Sequence, residues 1–175
     1  ISVAPELARL TVDSGAHMFS PMTLWPAKQP FDVLKSNGLS TMGFAIPAAI
    51  AASLAEPNRP LIAFIGDGGL LMCLGELATA ARLGCNLTVI VLNDASLALI
   101  DVKQQRQQRP SYGTRYPISN FAEIATSMGF HAWRVSNRKD LLAALTLAFK
   151  KGGPCLIDAE IDPTGYPIQL EKIRG

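Results

Sequence analysis

With 175 residues and 49% hydrophobic content, the chain is long enough for one α/β domain with a substantial core and too short for two comfortable ones. A formal net charge of +2 and only 17% charged residues give no support to nucleic-acid binding or to a polybasic membrane contact. The longest apolar stretch, Met42 to Ala55, has 14 residues and includes Pro47, short of the ~20 residues that a bilayer span requires.

In chain order, Leu10-Thr11-Val12-Asp13 is a candidate first strand, and Ser14-Gly15-Ala16-His17 is the turn that leaves it. Phe19 to Phe31 contains Pro21, Pro26 and Pro30, so no helix is expected there, with Trp25 and Phe31 packed inward or against a partner. Ser36 to Phe44 opens a helix that takes Pro47 early, where a missing N–H is tolerable, and runs to about Ala55 before Pro57. Leu61 to Ile65 is a short apolar run that stops at Gly66-Asp67-Gly68-Gly69, as a buried strand ending in a tight turn does. Leu70 to Leu83 is apolar almost all round and reads as one buried helix, with Gly84 as its stop. Leu87 to Leu92 is a second β-branched run ending in Asn93-Asp94, which makes the unit βαβ with parallel strands. A right-handed crossover then delivers Asp67 and Asp94 to the same carboxyl edge of the sheet.

Beyond that unit, Ala95 to Ile100 can continue as a short helix, and Lys103, Arg106, Arg109 and Arg115 are interspersed with glutamines. A basic segment beside a site would attract an anion by long-range charge; a solvated face is the plainer alternative. Asn120 with Glu123 forms a capping box for a helix bearing Phe121, Ile124, Ala125 and Met128 and ending at Gly129. His131 to Val135 is a strand. Asn137 caps Arg138 to Lys151, whose apolar stripe is Leu141, Leu142, Leu145, Ala148 and Phe149, and Gly152 follows. Pro154 to Ile161 is the last strand, Asp162 to Pro167 breaks regular structure, and Gln169 to Gly175 reads as a tail. Strand–helix alternation without hairpin signals predicts an α/β fold, a doubly wound, mainly parallel sheet with helices on both faces, as one domain over residues 1–175. Cys73, Cys85 and Cys155 lie far apart without metal-ligand spacing and read as reduced, buried thiols. With no signal peptide, they point to a cytoplasmic location. The first residue, Ile1, suggests a piece of something longer.

Gly66, Gly68 and Gly69 lack a Cβ, so a bulky anion can approach backbone N–H groups where the helix begins. Asp67 and Asp94 would repel a phosphate, and a hard divalent cation between them resolves the conflict. The stretch therefore reads as a metal–diphosphate site. It is not a Walker loop, which needs an absent Gly-Lys-Ser/Thr, nor a dinucleotide fingerprint, whose third glycine is Leu71 here.

Gly66-Asp67-Gly68, then 24 residues, then Asn93-Asp94 resembles the signature of thiamine diphosphate enzymes. Thr41-Met42-Gly43-Phe44 with Pro47-Ala48-Ala49 resembles a second family segment, with Ser40 in place of a glycine. The resemblance runs from about Asp13 to Pro167 and implies the diphosphate-binding domain of such an enzyme. It implies thiamine diphosphate anchored through Mg²⁺, with the side chains of Asp67 and Asp94 and the backbone carbonyl of Ser96 as metal ligands. Asp94 stands where the family has asparagine. By the same resemblance His17, Met42, Gly66, Gly68, Gly69 and Asn93 are cofactor-binding positions, His17 touching the diphosphate and Met42 propping the cofactor's bent conformation. The activating glutamate belongs to a pyrimidine-binding domain, of the same or a neighbouring subunit, and none of Glu6, Glu56, Glu76, Glu123, Glu160 or Glu171 lies in a matching motif. The chain alone is accordingly expected to be inactive, with no catalytic residue of its own.

Asn93 to Gln104 is most similar to acetolactate-synthase-like enzymes, which decarboxylate a 2-oxo acid and ligate the remainder to a second carbonyl. Two departures are Ala98, in place of a common glycine, and Lys103, where branched-chain synthases carry an acceptor-selecting tryptophan. Ile100 stands where pyruvate decarboxylases carry a catalytic glutamate, which argues against that subgroup. The implied partners are the pyrimidine-binding domain, a small 2-oxo acid and further copies in a homo-oligomer. A separate subunit of a split 2-oxo-acid decarboxylase and a non-catalytic α/β interaction domain are the alternatives.

Overall fold

The computed structural model describes residues 2–174; Gly175, the end of the expected tail, lies outside the described residues. Six strands form one sheet: β1 (Arg9–Val12), β2 (Val33–Lys35), β3 (Leu61–Gly66), β4 (Leu87–Asn93), β5 (His131–Val135) and β6 (Cys155–Glu160). Their order is β2-β1-β3-β4-β6-β5, and every pairing is parallel. The central strands β3 and β4 are near-continuous apolar runs because both of their faces are covered.

Alternation along β3 divides the core. Leu61, Ala63 and Ile65 face α2 (Ala45–Ala55), together with Leu87, Val89 and Val91 of β4 and Leu77 and Ala80 of a following helix. Ile62 faces the opposite layer with Leu10, Val12 and Ile90. On that side α7 (Arg138–Lys151) packs Ala144 and Ala148 against β5 and β6. Each fully buried Leu or Ile contributes roughly 1.5–3 kcal/mol relative to an exposed one.

Several expectations need correction. Phe19–Leu24 is a short helix, α1, despite the prolines. Pro21 sits in its first turn, where its missing N–H is no loss, and Trp25 with Pro26 ends it. Trp25 is half-buried against the core, but Phe31 is 73% exposed. Val33–Lys35 was not expected as a strand; with three residues at the sheet edge it carries too little pattern to read. The single helix expected over Leu70 to Leu83 is two, α3 (Asp67–Met72) and α4 (Glu76–Arg82). They are separated by two tight turns, Cys73 N–H to the Leu70 carbonyl and Glu76 N–H to the Cys73 carbonyl, next to the poor helix former Gly75. Leu71 and Met72 point outward, and Cys73 is only half-buried; Cys85 and Cys155 are buried, and all three are free thiols.

Elsewhere α5 (Ala98–Arg106) extends the short helix foreseen after Ala95, and α6 (Phe121–Ser127) begins under the Asn120 cap, whose Oδ1 accepts from Glu123 N–H at 3.2 Å. On α7, Leu142 is exposed and Ala144 takes its place on the buried face. The expected irregular tail is a 3-10 turn, Pro163–Gly165, leading into α8 (Tyr166–Arg174). Pro167 is harmless in the first turn of α8, and Leu170 is buried. No helix among the described residues is long and apolar enough to cross a membrane.

Asp158 of β6 is fully buried; it accepts from Asn93 Nδ2 at 2.9 Å and from Phe121 N–H at 3.0 Å, tying the end of β4 to the start of α6. Asp158→Ala would strand both donors in the core. Urea denaturation of this variant is expected to show a loss of about 2–4 kcal/mol, from two buried donors at roughly 1–3 kcal/mol each.

Candidate functional site

The chain steps from β1 outward to β2, then returns to β3 on the other side of β1, so the strand order reverses between β1 and β3. Ligands of open α/β sheets bind at such a reversal, outside the carboxyl ends of the strands. A cleft of about 290 Å³ lies there. It is walled by segments leaving three adjacent strands: Ser14–Met18 after β1, Gly66–Gly69 after β3, and residues from Asp94 to Lys103 after β4.

Asp13, the residue after β1, organises the floor although sequence reasoning assigned it only a strand end. Its buried carboxylate accepts from Ser14 N–H at 2.8 Å, Gly43 N–H at 2.9 Å and Phe44 N–H at 3.2 Å, so it holds the entry to α2 and sets Met42 against the cleft. Burial pushes its acid form up, and the three N–H donors oppose that. A Cβ on Gly69 would collide with this carboxylate, and one on Gly66 would fall 2.9 Å from His17 Nδ1. At these two positions the missing Cβ atoms make room for Asp13 and His17, while both glycines also line the cleft. Gly68 differs, since its Cβ would meet Leu97 Cδ2, on the cleft wall, at 2.5 Å and the Tyr116 hydroxyl at 3.1 Å.

Asp67 and Asp94 converge on one donor. Ser96 N–H lies 3.2 Å from Asp67 Oδ2 and 3.0 Å from Asp94 Oδ1, and Ser96 Oγ donates to Asp94 Oδ1 at 2.9 Å. Asp67 Oδ1 takes Gly68 N–H at 2.9 Å. Among the described residues neither carboxylate has a lysine or arginine in ion-pair range. Burial, and then the charge of Asp94, push Asp67 up to about 6; burial also pushes Asp94 up. The described residues hold no cluster of three or more His, Cys, Asp or Glu side chains suited to a metal. A cation here would thus take two carboxylates and complete its shell from backbone and ligand oxygens, the donor set of Mg²⁺.

His17 is buried beside this pair, its Nε2 has no hydrogen-bond partner, and burial holds its pKa down to about 4. A neutral, orphaned imidazole nitrogen on a cleft wall suits a polar ligand group. The buried Tyr116 hydroxyl lies near Gly68 and close enough to Asp67 to favour its carboxylate, and burial with that charge pushes the phenol up. Tyr166, from the first turn of α8, closes another wall. Neither tyrosine was singled out beforehand, since both approach from segments distant in sequence, Tyr116 from a loop and Tyr166 from α8. Of the nine positions expected in the site, eight line the cleft: His17, Met42, Gly66, Asp67, Gly68, Gly69, Asp94 and Ser96. Asn93 does not. Strand alternation turns its side chain the other way, to Asp158 and the Ser119 carbonyl, so its role is in the core.

A doubly wound parallel sheet with a carboxylate pair at its reversal point, unpaired with lysine or arginine among the described residues, is the architecture of a cofactor-binding α/β domain. The sequence matches the family described as thiamine pyrophosphate enzyme, C-terminal TPP binding domain, over residues 13–159, and the chain belongs to this family. It is 36% identical over 157 residues to the acetolactate synthase isozyme 1 large subunit of Escherichia coli (strain K12), covering 89% of this chain and 28% of that protein. It is 34% identical over 163 residues to a putative thiamine pyrophosphate-containing protein, YdaP, of Bacillus subtilis (strain 168), covering 90% and 28%. Against the acetolactate synthase large subunit of Lactococcus lactis subsp. lactis (strain IL1403) identity is 32% over 165 residues, covering 93% and 28%. The chain thus spans less than a third of the length of these relatives. Thiamine diphosphate is the cofactor of the family, and the donors present fit it: a hard-oxygen pair for the metal, the orphaned His17 nitrogen and an apolar flank at Met42 and Leu97.

Without metal, Asp67 and His17 pull stability in opposite directions. Asp67 is raised from 3.8 to about 6, so the folded state holds its proton more tightly and stability falls as pH rises between those values. His17 is lowered from 6.5 to about 4, so the unfolded state holds its proton more tightly and stability falls as pH drops through that window. Asp67→Asn removes the first effect alone. Thermal unfolding in a metal chelator is expected to show the variant above the parent at pH 7, with the gap closing toward pH 4.

Proposed function

We propose that the chain is a single diphosphate-binding domain, residues 1–175, from the C-terminal part of a longer enzyme that decarboxylates a 2-oxo acid and ligates the remainder to a second carbonyl compound. The observation that carries this reading is the convergence of Asp67 and Asp94 on Ser96 N–H at the sheet's reversal point, with no ion-paired lysine or arginine among the described residues. Similarity to acetolactate synthase large subunits over most of this chain supports the reaction class.

In this reading the side chains of Asp67 and Asp94 and the carbonyl of Ser96 hold Mg²⁺, and the metal holds the diphosphate. His17 offers a neutral nitrogen to the diphosphate, Gly68 leaves the wall thin beside it, and Met42 supports the cofactor's apolar body. Bound there, thiamine diphosphate supplies the carbon centre that a 2-oxo acid requires for loss of CO₂. In the overall reaction the donor's bond to its carboxylate breaks, and its electron pair forms the new bond to the acceptor's carbonyl carbon, whose oxygen takes a proton. Burial of the cleft by a pyrimidine-binding domain, from the same or a neighbouring subunit of a homo-oligomer, would exclude water from this step and bring the activating glutamate.

Calorimetric titration of the chain with thiamine diphosphate tests the site directly. Binding is expected in Mg²⁺ and is expected to vanish in EDTA and in Asp67→Ala; unchanged affinity in that variant would remove the metal assignment.

A further inference from the structure

A short antiparallel contact joins the loop after β4 to a strap of chain beyond α5. Leu97 N–H donates to the Thr114 carbonyl at 2.7 Å, Tyr116 N–H donates to the Ala95 carbonyl at 3.1 Å, and Ser96 pairs with Arg115 between them. Asp101 of α5 holds the same strap, accepting from Thr114 Oγ1 and from the Arg115 guanidinium, both at 3.0 Å. All three strap residues are therefore fastened. From this strap the Tyr116 side chain reaches back to the start of α3, where its hydroxyl lies 3.1 Å from the point that a Cβ on Gly68 would occupy. Leu97 approaches the same point and lines the cleft, whereas Tyr116 is not among the residues that line it. The phenol oxygen is buried, lies close enough to Asp67 to favour its carboxylate, and has no other partner among the described residues. A buried donor with one acceptor in reach is committed to that acceptor.

We propose that Tyr116 is a positioning residue, whose hydroxyl holds the Asp67 carboxylate from outside the metal's coordination shell and leaves it one lone pair for the ion. The inference rests on the metal reading of Asp67 and Asp94 above. An ionised carboxylate has about four acceptor sites. Gly68 N–H takes one on Oδ1 at 2.9 Å, Ser96 N–H takes one on Oδ2 at 3.2 Å, and the phenol takes a third. Asp67 then meets a cation through a single oxygen, which suits the strict octahedral shell of Mg²⁺, and is kept from the two-oxygen grip that suits the larger Ca²⁺. The neutral donor matters too. Lysine or arginine at this place would offset the carboxylate and compete with the ion, but a phenol donates a hydrogen bond and leaves the full negative charge. Because the strap is paired with the 95–97 backbone, Tyr116 also ties the loop that carries Asp67 to the loop that carries Asp94 and Ser96. One side chain thereby sets the spacing of both ligand-bearing loops.

The test uses the full-length enzyme containing this domain, with thiamine diphosphate present and either Mg²⁺ or Ca²⁺ titrated in, and follows binding by calorimetry. Tyr116→Phe keeps the ring and removes the donor. It is expected to weaken Mg²⁺ about tenfold, the lower end of the cost of losing a hydrogen-bond partner of a metal ligand, and to leave Ca²⁺ within about threefold of the parent, so the preference for Mg²⁺ falls. An equal loss for both ions is the mark of a loosened cleft and overturns the proposal, as does an unchanged Mg²⁺ affinity. Tighter Mg²⁺ binding overturns it as well, because the phenol is then a competitor of the ion. In these three outcomes the parent still binds the cofactor with metal; failure of the parent to bind thiamine diphosphate with either ion overturns the metal reading itself.

Discussion

Two carboxylates compete for the same backbone N–H. Asp67 and Asp94 both reach Ser96, and each is desolvated by the sheet edge that delivers it. Like charges held this close, with no lysine or arginine among the described residues in ion-pair range, oppose folding until a proton or a metal ion arrives. Their positions follow from the backbone alone: β3 and β4 are adjacent and parallel, with Gly66 opposite Leu92, so the residues that follow them leave the sheet side by side. A family asparagine at position 94 would ease the repulsion; the aspartate found there makes the site more dependent on its cation.

Around this pair the molecule uses non-local contacts to fix each wall. Asp13 beneath Gly69 fastens the entry to α2, and Asp101 fastens the 114–115 loop through Thr114 and Arg115. Asp158 and Asn93 do the same on the opposite side of β4. Buried carboxylates thus serve two purposes in one sheet. Asp13, Asp101 and Asp158 each tie together segments distant in the chain, whereas Asp67 and Asp94 take main-chain donors from Gly68 and Ser96 beside them and face the cleft.

The strands of the central unit, the two asparagine caps and the shared edge for Asp67 and Asp94 were legible because they depend on local pattern and on the handedness of βαβ units. The Asn93 side chain turns away from the cleft: a signature names a position without its face, and alternation along β4 sets it opposite Asp94. The α3–α4 break escaped notice because a run of leucines and alanines is apolar whether or not the helix is continuous. Asp13 and Tyr116 carry no local mark at all, since their roles come from partners about 30 and 50 residues away in the chain. Tyr166 was hidden by Pro163 and Pro167, which signal irregular structure yet here begin helical turns.

The helix that supplies Tyr166 is held at long range. Gln169 of α8 donates to Ser20, 149 residues earlier, and Arg106 of α5 grips the Pro167 carbonyl. Such contacts close only after the intervening chain has been made and arranged. The wall that Tyr166 supplies is therefore joined to the cleft only through residues made about 70 to 100 positions after Asp94 and Asp67, so the enclosure of the site depends on the chain beyond β6 and not on the strands that deliver the carboxylates.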